Sequence, residues 1–143
     1  MKHIKRSLVV VISILAVLLL VACGGSDEYT KIEPAEVKEI DGSEFNLVTL
    51  TERAAERLGI ETAPIQAAEG QMSVVPYSAV IYGLHGETWT YINPEPLTYV
   101  RHPITVDYIE GGQAFLSDGP PLETEIVTVG AQMLYGTDTG VGK

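Results

Sequence analysis

Five side chains of this sequence are candidates for chemistry beyond packing: Cys23, Met72, His85, His102 and Met133. Cys23 is the single cysteine, and it stands at the end of the longest apolar run, in "LLLVACGG". A lone thiol can be a nucleophile, a ligand or an acylation site. It cannot form a disulfide within one chain, so whatever follows it must be held together by packing. His85 lies in "GLHGE" with Glu87 two positions on, and His102 precedes Pro103 with Asp107 five positions later. A zinc site needs three or four converging ligands, and neither spacing matches the usual ligand runs. The two histidines read as a solvated turn residue and an edge-strand residue, and no metal site is expected. Met72 and Met133 raise the thought of a copper site, but isolated thioethers more often fill a core. "GTDTG" and "GLHGE" lack the lysine and the strand-to-helix setting of a phosphate loop, and no Gly-x-Ser-x-Gly elbow occurs. Carboxylates are abundant, yet abundance without a cleft does not make acid–base catalysis. The expectation is a protein with no catalytic residues and no cofactor.

The element that positions Cys23 is the N-terminus, "MKHIKRSLVVVISILAVLLLVACGG". Lys2, Lys5 and Arg6 make a positive start, and Leu8 to Ala22 are apolar apart from Ser13. The run is shorter than the roughly 20 residues of a membrane span. Its flanks fit a cleaved secretory signal. Leu20-Val21-Ala22-Cys23 resembles the lipobox of bacterial lipoproteins. That resemblance implies a signal peptide over 1–22, cleavage before Cys23 and a diacylglycerol thioether on the Cys23 sulfur, with a further fatty acid such as palmitate. A buried free thiol and an uncleaved anchor are the competing readings. Each buried methylene of an acyl chain contributes about 0.8 kcal/mol, so two or more chains hold firmly. Gly24 rather than Asp follows the cysteine, which gives no support for inner-membrane retention in a two-membrane envelope.

Three of the nine Lys and Arg precede Cys23, leaving six bases against nineteen acids, a formal charge of −13. Such a chain repels phosphate, and no basic patch follows the signal, so nucleic-acid binding is excluded. Residues 23–44 are rich in Gly, Ser and acids and read as a flexible acidic tether, because so little apolar surface does not offset the entropy of ordering it. "KIEPAEVKEI" within it is alternatively a short extended arm. Residues 136–143, from "GTDTGVGK", read as a fraying tail.

Between them, 45–135 reads as one mainly β domain. "EFNLVTL" alternates like a strand. "TERAAERLG" has Thr51 as N-cap and Gly59 just past the end of a short helix. "IETAPIQAA" is extended. "MSVVPYSAVIYG" and "ETWTYI" suggest a hairpin about "LHG", with Trp89 and Tyr91 on the inner face. "LTYVRHPITVDYI" alternates again, with Pro103 at an edge or bulge. "AFLS" and "TEIVTVG" complete five to seven short strands, the pattern of a small β-barrel or β-roll with one short helix.

In this order the segments resemble the membrane-proximal domain of periplasmic adaptor proteins, or membrane fusion proteins, of RND-type and related efflux systems. "LVTLTERAAERLGIETAPIQ" is similar to the family's segment leading into its barrel. "VVPYSAVIYGLHGETWTYI" is similar to its "VP..AV......G...VYV" strand pair, and "RHPITVDYIEGGQAFLSDGPPLETEIVTVGAQML" to its closing run. Gly111, Gly112, Gly119 and Gly130 fall at turns of that pattern and read as turn chemistry. A full adaptor also has a lipoyl-like domain split by a helical hairpin, yet between Gln66 and Met72 only "AAEGQ" occurs. The resemblance therefore implies a reduced adaptor: a lipid-anchored extracytoplasmic module in transmembrane transport that docks on an integral RND- or ABC-type transporter. A small solute- or ion-binding lipoprotein is the alternative, and an extracytoplasmic hydrolase the third reading.

Overall fold

The computed structural model describes residues 33–140. The signal segment, Cys23 and the first part of the acidic stretch lie outside the described residues, as do the last three of the tail.

The described chain is mainly β, with eleven strands in two antiparallel sheets. The larger sheet has the order β1 (Ala35–Glu39), β2 (Asn46–Leu50), β8 (Thr98–Pro103), β7 (Thr88–Glu95), β11 (Glu125–Val129), β3 (Glu61–Pro64). β6 (Ile81–Tyr82) also pairs with β7. The smaller sheet runs β4 (Gln66–Ala67), β5 (Ser73–Pro76), β10 (Gln113–Asp118), β9 (Thr105–Glu110).

The strands outnumber the expected five to seven because three extended runs each change sheets midway. "IETAPIQAA" divides at Ile65, "MSVVPYSAVIYG" at the 3-10 turn Tyr77–Ala79, and "LTYVRHPITVDYI" at Ile104. Ile65, Ala79, Val80 and Ile104 are all buried in one apolar cluster with Val75, Ala114, Leu116 and Ile126. Burial of these corner residues between the sheets favours the crossings. Pro103 marks one such corner. It closes β8, an interior strand, and the chain passes to the other sheet just after it. The sheets do not close into a barrel: the larger ends in β1 and β3, the smaller in β4 and β9.

The opposite face of the larger sheet carries a second cluster, built from Val48, Leu50, Ile81, Tyr91, Tyr99 and Val127. Two helices cover it. In α1 (Glu52–Leu58), Thr51 accepts a hydrogen bond from the Ala54 amide at 3.2 Å, and Gly59 takes the left-handed conformation that ends the helix, as the sequence predicts. Ala54 and Ala55 are its buried face. The second helix, α2 (Ala131–Thr139), is one more than the single helix expected, and it begins in the expected β domain and runs through Gly136 into the segment expected to fray. Ala131, Leu134 and Asp138 recur at helical spacing and are all buried, so the segment has an inner face to hold it.

β1 likewise corrects the tether reading, and the arm it was weighed against is what forms. Ala35 and Val37 alternate onto the core and β1 pairs with β2 along its whole length. Along β7, Trp89 and Tyr91 face the helical side as expected. Thr90 on the other face is fully buried too, because that face is covered by the smaller sheet.

Candidate functional site

Two kinds of side-chain arrangement stand out on this scaffold. One is buried. Asp138 has no exposed side-chain surface and gathers three partners from three strands. Arg101 Nε on β8 is 2.7 Å from its Oδ2, the Tyr91 hydroxyl on β7 donates to the same oxygen at 2.7 Å, and Asn46 Nδ2 on β2 donates to Oδ1 at 2.9 Å. The Arg101 Nε–H is turned off the line to the carboxylate, so this contact is an ion pair more than a hydrogen bond. The guanidinium carbon also lies 5.2 Å from the ring centres of Phe45 and Trp89 and 5.6 Å from that of Tyr135. Aromatic faces attract a cation at these distances. Burial, and then the hydrogen bond to Asp138, push the Tyr91 phenol far above its ordinary value. This constellation clasps α2 to the sheet. Its chemistry is charge neutralisation and positioning.

The other arrangement is open to solvent. The 3-10 turn after Pro76 places Tyr77 at the surface, and Ser78 Oγ fastens the turn by donating to Thr128 O at 2.6 Å. Tyr77, Tyr82 on β6, Val129 at the end of β11 and Met133 on α2 line a groove of about 430 Å³. These four are 44%, 47%, 45% and 63% exposed, high for large apolar or aromatic side chains. The rings of Tyr77 and Tyr82 are 6.3 Å apart and tilted. Partial burial, and then the neighbouring Tyr77, raise the Tyr82 phenol. Tyr82 is shared with a second groove of about 700 Å³, whose walls include Glu44, Phe45, Glu87, Trp89 and Pro103. Glu87 is held low, first by its own backbone amide; the His85 amide also donates to it at 3.1 Å.

The sequence candidates distribute as follows. His85 is in the hairpin turn, 85% exposed, with Nδ1 3.5 Å from Glu87 Oε1. His102 is on β8 with Nδ1 2.8 Å from Pro103 O. Among the described residues no three His, Cys, Asp or Glu side chains converge as a metal site. Met72 and Met133 line different grooves and are not brought together. Met133 is not core filling but an exposed groove wall. Cys23 lies outside the described residues. Among them, no helix is long and apolar enough to cross a membrane.

Sequence reasoning overlooked Arg101 and Asp138. The available signal was the spacing Ala131, Leu134, Tyr135, Asp138, an inner helical face with an acid in line, and an arginine within the apolar alternation "LTYVRHP". The aromatic groove has no local sequence signal, because Tyr77, Tyr82, Val129 and Met133 come from four elements. No family model matches the chain, and no significant match is found among curated proteins or among solved structures.

Proposed function

We propose that this chain is a protein-docking module, anchored by a lipid on Cys23 to the extracytoplasmic face of a bacterial membrane, that engages an integral transporter as a reduced efflux adaptor. One observation carries the docking part: Tyr77, Tyr82, Val129 and Met133 together line one groove with their apolar and aromatic side chains exposed, on a strongly acidic chain. Apolar patches rimmed by polar residues mark interaction sites, and aromatic residues and methionine are enriched in them. Leu84, 96% exposed, is at the tip of the hairpin that carries Tyr82. The order of the β segments, which resembles that of adaptor membrane-proximal domains, supports the choice of a transporter as partner.

The mechanism is positional. Confining the domain to the membrane surface raises its effective concentration toward an integral partner, so a weak contact suffices. No bond need be made or broken.

Photo-crosslinking tests this reading. With a benzophenone amino acid at position 133 in intact membranes, the expected adduct is with an integral transporter, and it is lost in the Cys23→Ser variant. No transporter adduct, under conditions where another lipoprotein captures its known partner, overturns the docking role. Unchanged processing and acylation of Cys23→Ser overturn the anchor.

A further inference from the structure

We propose that the two grooves meeting at Tyr82 form one site for a basic amphipathic segment of the docking partner. Apolar side chains of that segment enter between Tyr77 and Met133, and Lys or Arg side chains pair with Glu44 and Glu87 on the wall of the larger groove. The inference rests on the docking reading above and names the chemistry of what docks.

Charge complementarity commits the occupant. Glu44 and Glu87 are the charged residues lining the larger groove, and no Lys or Arg lines either groove. The described residues contain four Lys and Arg (Lys38, Arg53, Arg57, Arg101) against seventeen Asp and Glu, a formal charge of −13. An acidic segment would meet repulsion from the rim and from the whole body. A purely apolar segment would cover the Glu44 and Glu87 carboxylates with no cation from the segment to offset the lost water, Glu87 keeping only its contacts within the turn, and desolvation penalises this.

The wall is also built rather than incidental. A Cβ at Gly83 would stand 2.5 Å from Glu87 Oε2 and 2.5 Å from the Trp89 ring. Gly83 therefore lets the carboxylate and the indole close in on the hairpin together, which sets an anion beside an aromatic surface. The Glu87 carboxylate is held there by the His85 amide at 3.1 Å. The Arg101 guanidinium already lies 5.2 Å from the Phe45 and Trp89 ring centres, so the carboxylates of Glu44 and Glu87 are what a further cation would meet. The apolar half, reached through Tyr82, distinguishes a segment of polypeptide from a free small cation.

The chain contains one tryptophan, Trp89, on the groove wall, so its emission reports occupancy by a tryptophan-free probe. The full acylated protein in phosphatidylcholine nanodiscs is titrated with a twelve-residue Leu/Arg amphipathic peptide, its Leu/Glu counterpart, a Gly/Arg peptide and arginine amide. The expected result is a saturable emission change with the Leu/Arg peptide. Its affinity falls at least tenfold in Glu44→Gln/Glu87→Gln, in Gly83→Ala and in Tyr82→Ala, and is unmoved in Glu110→Gln on β9. Equal binding of the Leu/Glu peptide overturns the charge argument. Equal binding of the Gly/Arg peptide or arginine amide overturns the segment in favour of a cation site. No emission change, or equal affinity in Glu44→Gln/Glu87→Gln, overturns the site. If the crosslink from position 133 to a transporter persists in those cases, docking stands and the cationic segment falls; if both fail, docking falls as well.

Discussion

Replacing Asp138 by alanine should cost this fold about 4 kcal/mol. The carboxylate is wholly buried and holds the Arg101 guanidinium, the Tyr91 hydroxyl and the Asn46 amide at 2.7, 2.7 and 2.9 Å. Removing one partner of a buried ion pair costs roughly 3–5 kcal/mol, because the other charge stays behind unpaired. Each of the two hydrogen bonds, from Tyr91 and Asn46, is worth about 1.5–3 kcal/mol, but they share one carboxylate with the ion pair and do not add to it. Arg101 keeps 12% of its side-chain surface in water, which softens the loss and places it near the middle of the range. For a domain of this size about 4 kcal/mol lowers the melting temperature by about 15–25 °C. It also consumes a large part of the about 5–15 kcal/mol of a typical domain. Urea unfolding and calorimetry of the full chain read the effect. A second variant separates the pair from the packing: Arg101→Met/Asp138→Leu removes both charges and should recover part of the loss, the Tyr91 and Asn46 donors still lacking their acceptor. If Asp138→Ala changes stability by less than about 1 kcal/mol, a figure at the level of an ordinary surface substitution, the clasp is not formed and the tail frays.

Other expectations follow from single positions. Gly130 has a φ of +83°, and a Cβ there would stand 2.6 Å from Ile60 Cδ1 and 3.1 Å from Leu58 O; Gly130→Ala should destabilise by at least about 2 kcal/mol, since the left-handed conformation alone costs roughly 1–2, and a neutral result in urea would refute the packing of α1 against the start of α2. Gly136 is inside α2 with nothing within 4 Å of a Cβ, so Gly136→Ala should raise stability by about 0.5–1 kcal/mol, and a loss would argue against a helix there. The Thr90 hydroxyl is buried without a hydrogen-bond partner among the described residues; Thr90→Val should be stabilising by about 1 kcal/mol, and a loss beyond 1 would mean the hydroxyl has a partner. Tyr91 is raised by burial and by Asp138, so its contribution is complete below the unfolded value of about 10 and is lost as pH rises above it, at about 1.4 kcal/mol per pH unit; urea midpoints from pH 8 to 11.5 should fall less steeply in Tyr91→Phe, and an identical slope would refute this assignment.

Local signals served well here. The Thr51 cap, the Gly59 stop and the hairpin closing at Gly83 and Gly86 were legible because each is fixed by residues within a few positions of one another. The mainly β character followed from alternation. Strand count failed where Ile65, Ala79 and Ile104 carry the chain from one sheet to the other, since a strand that changes sheets keeps its alternation and shows no break. β1 and α2 were obscured for a different reason. Their charged and glycine-rich composition resembles a linker, while their stability comes from partners far along the chain: Val48 opposite Val37, and Asn46, Tyr91 and Arg101 around Asp138. The groove was illegible because Tyr77, Tyr82, Val129 and Met133 come from four elements and meet only when both sheets are formed. A tyrosine in a strand looks the same in sequence whether it points inward, as Tyr91 does, or outward, as Tyr82 does.

The most direct test of transporter docking compares crosslinkers at two exposed positions in living cells, one in the groove at Met133 and one on β9 at Glu110. The account predicts an adduct with an integral transporter from position 133 and none from position 110. Adducts of equal yield from both positions, or from neither, would contradict it.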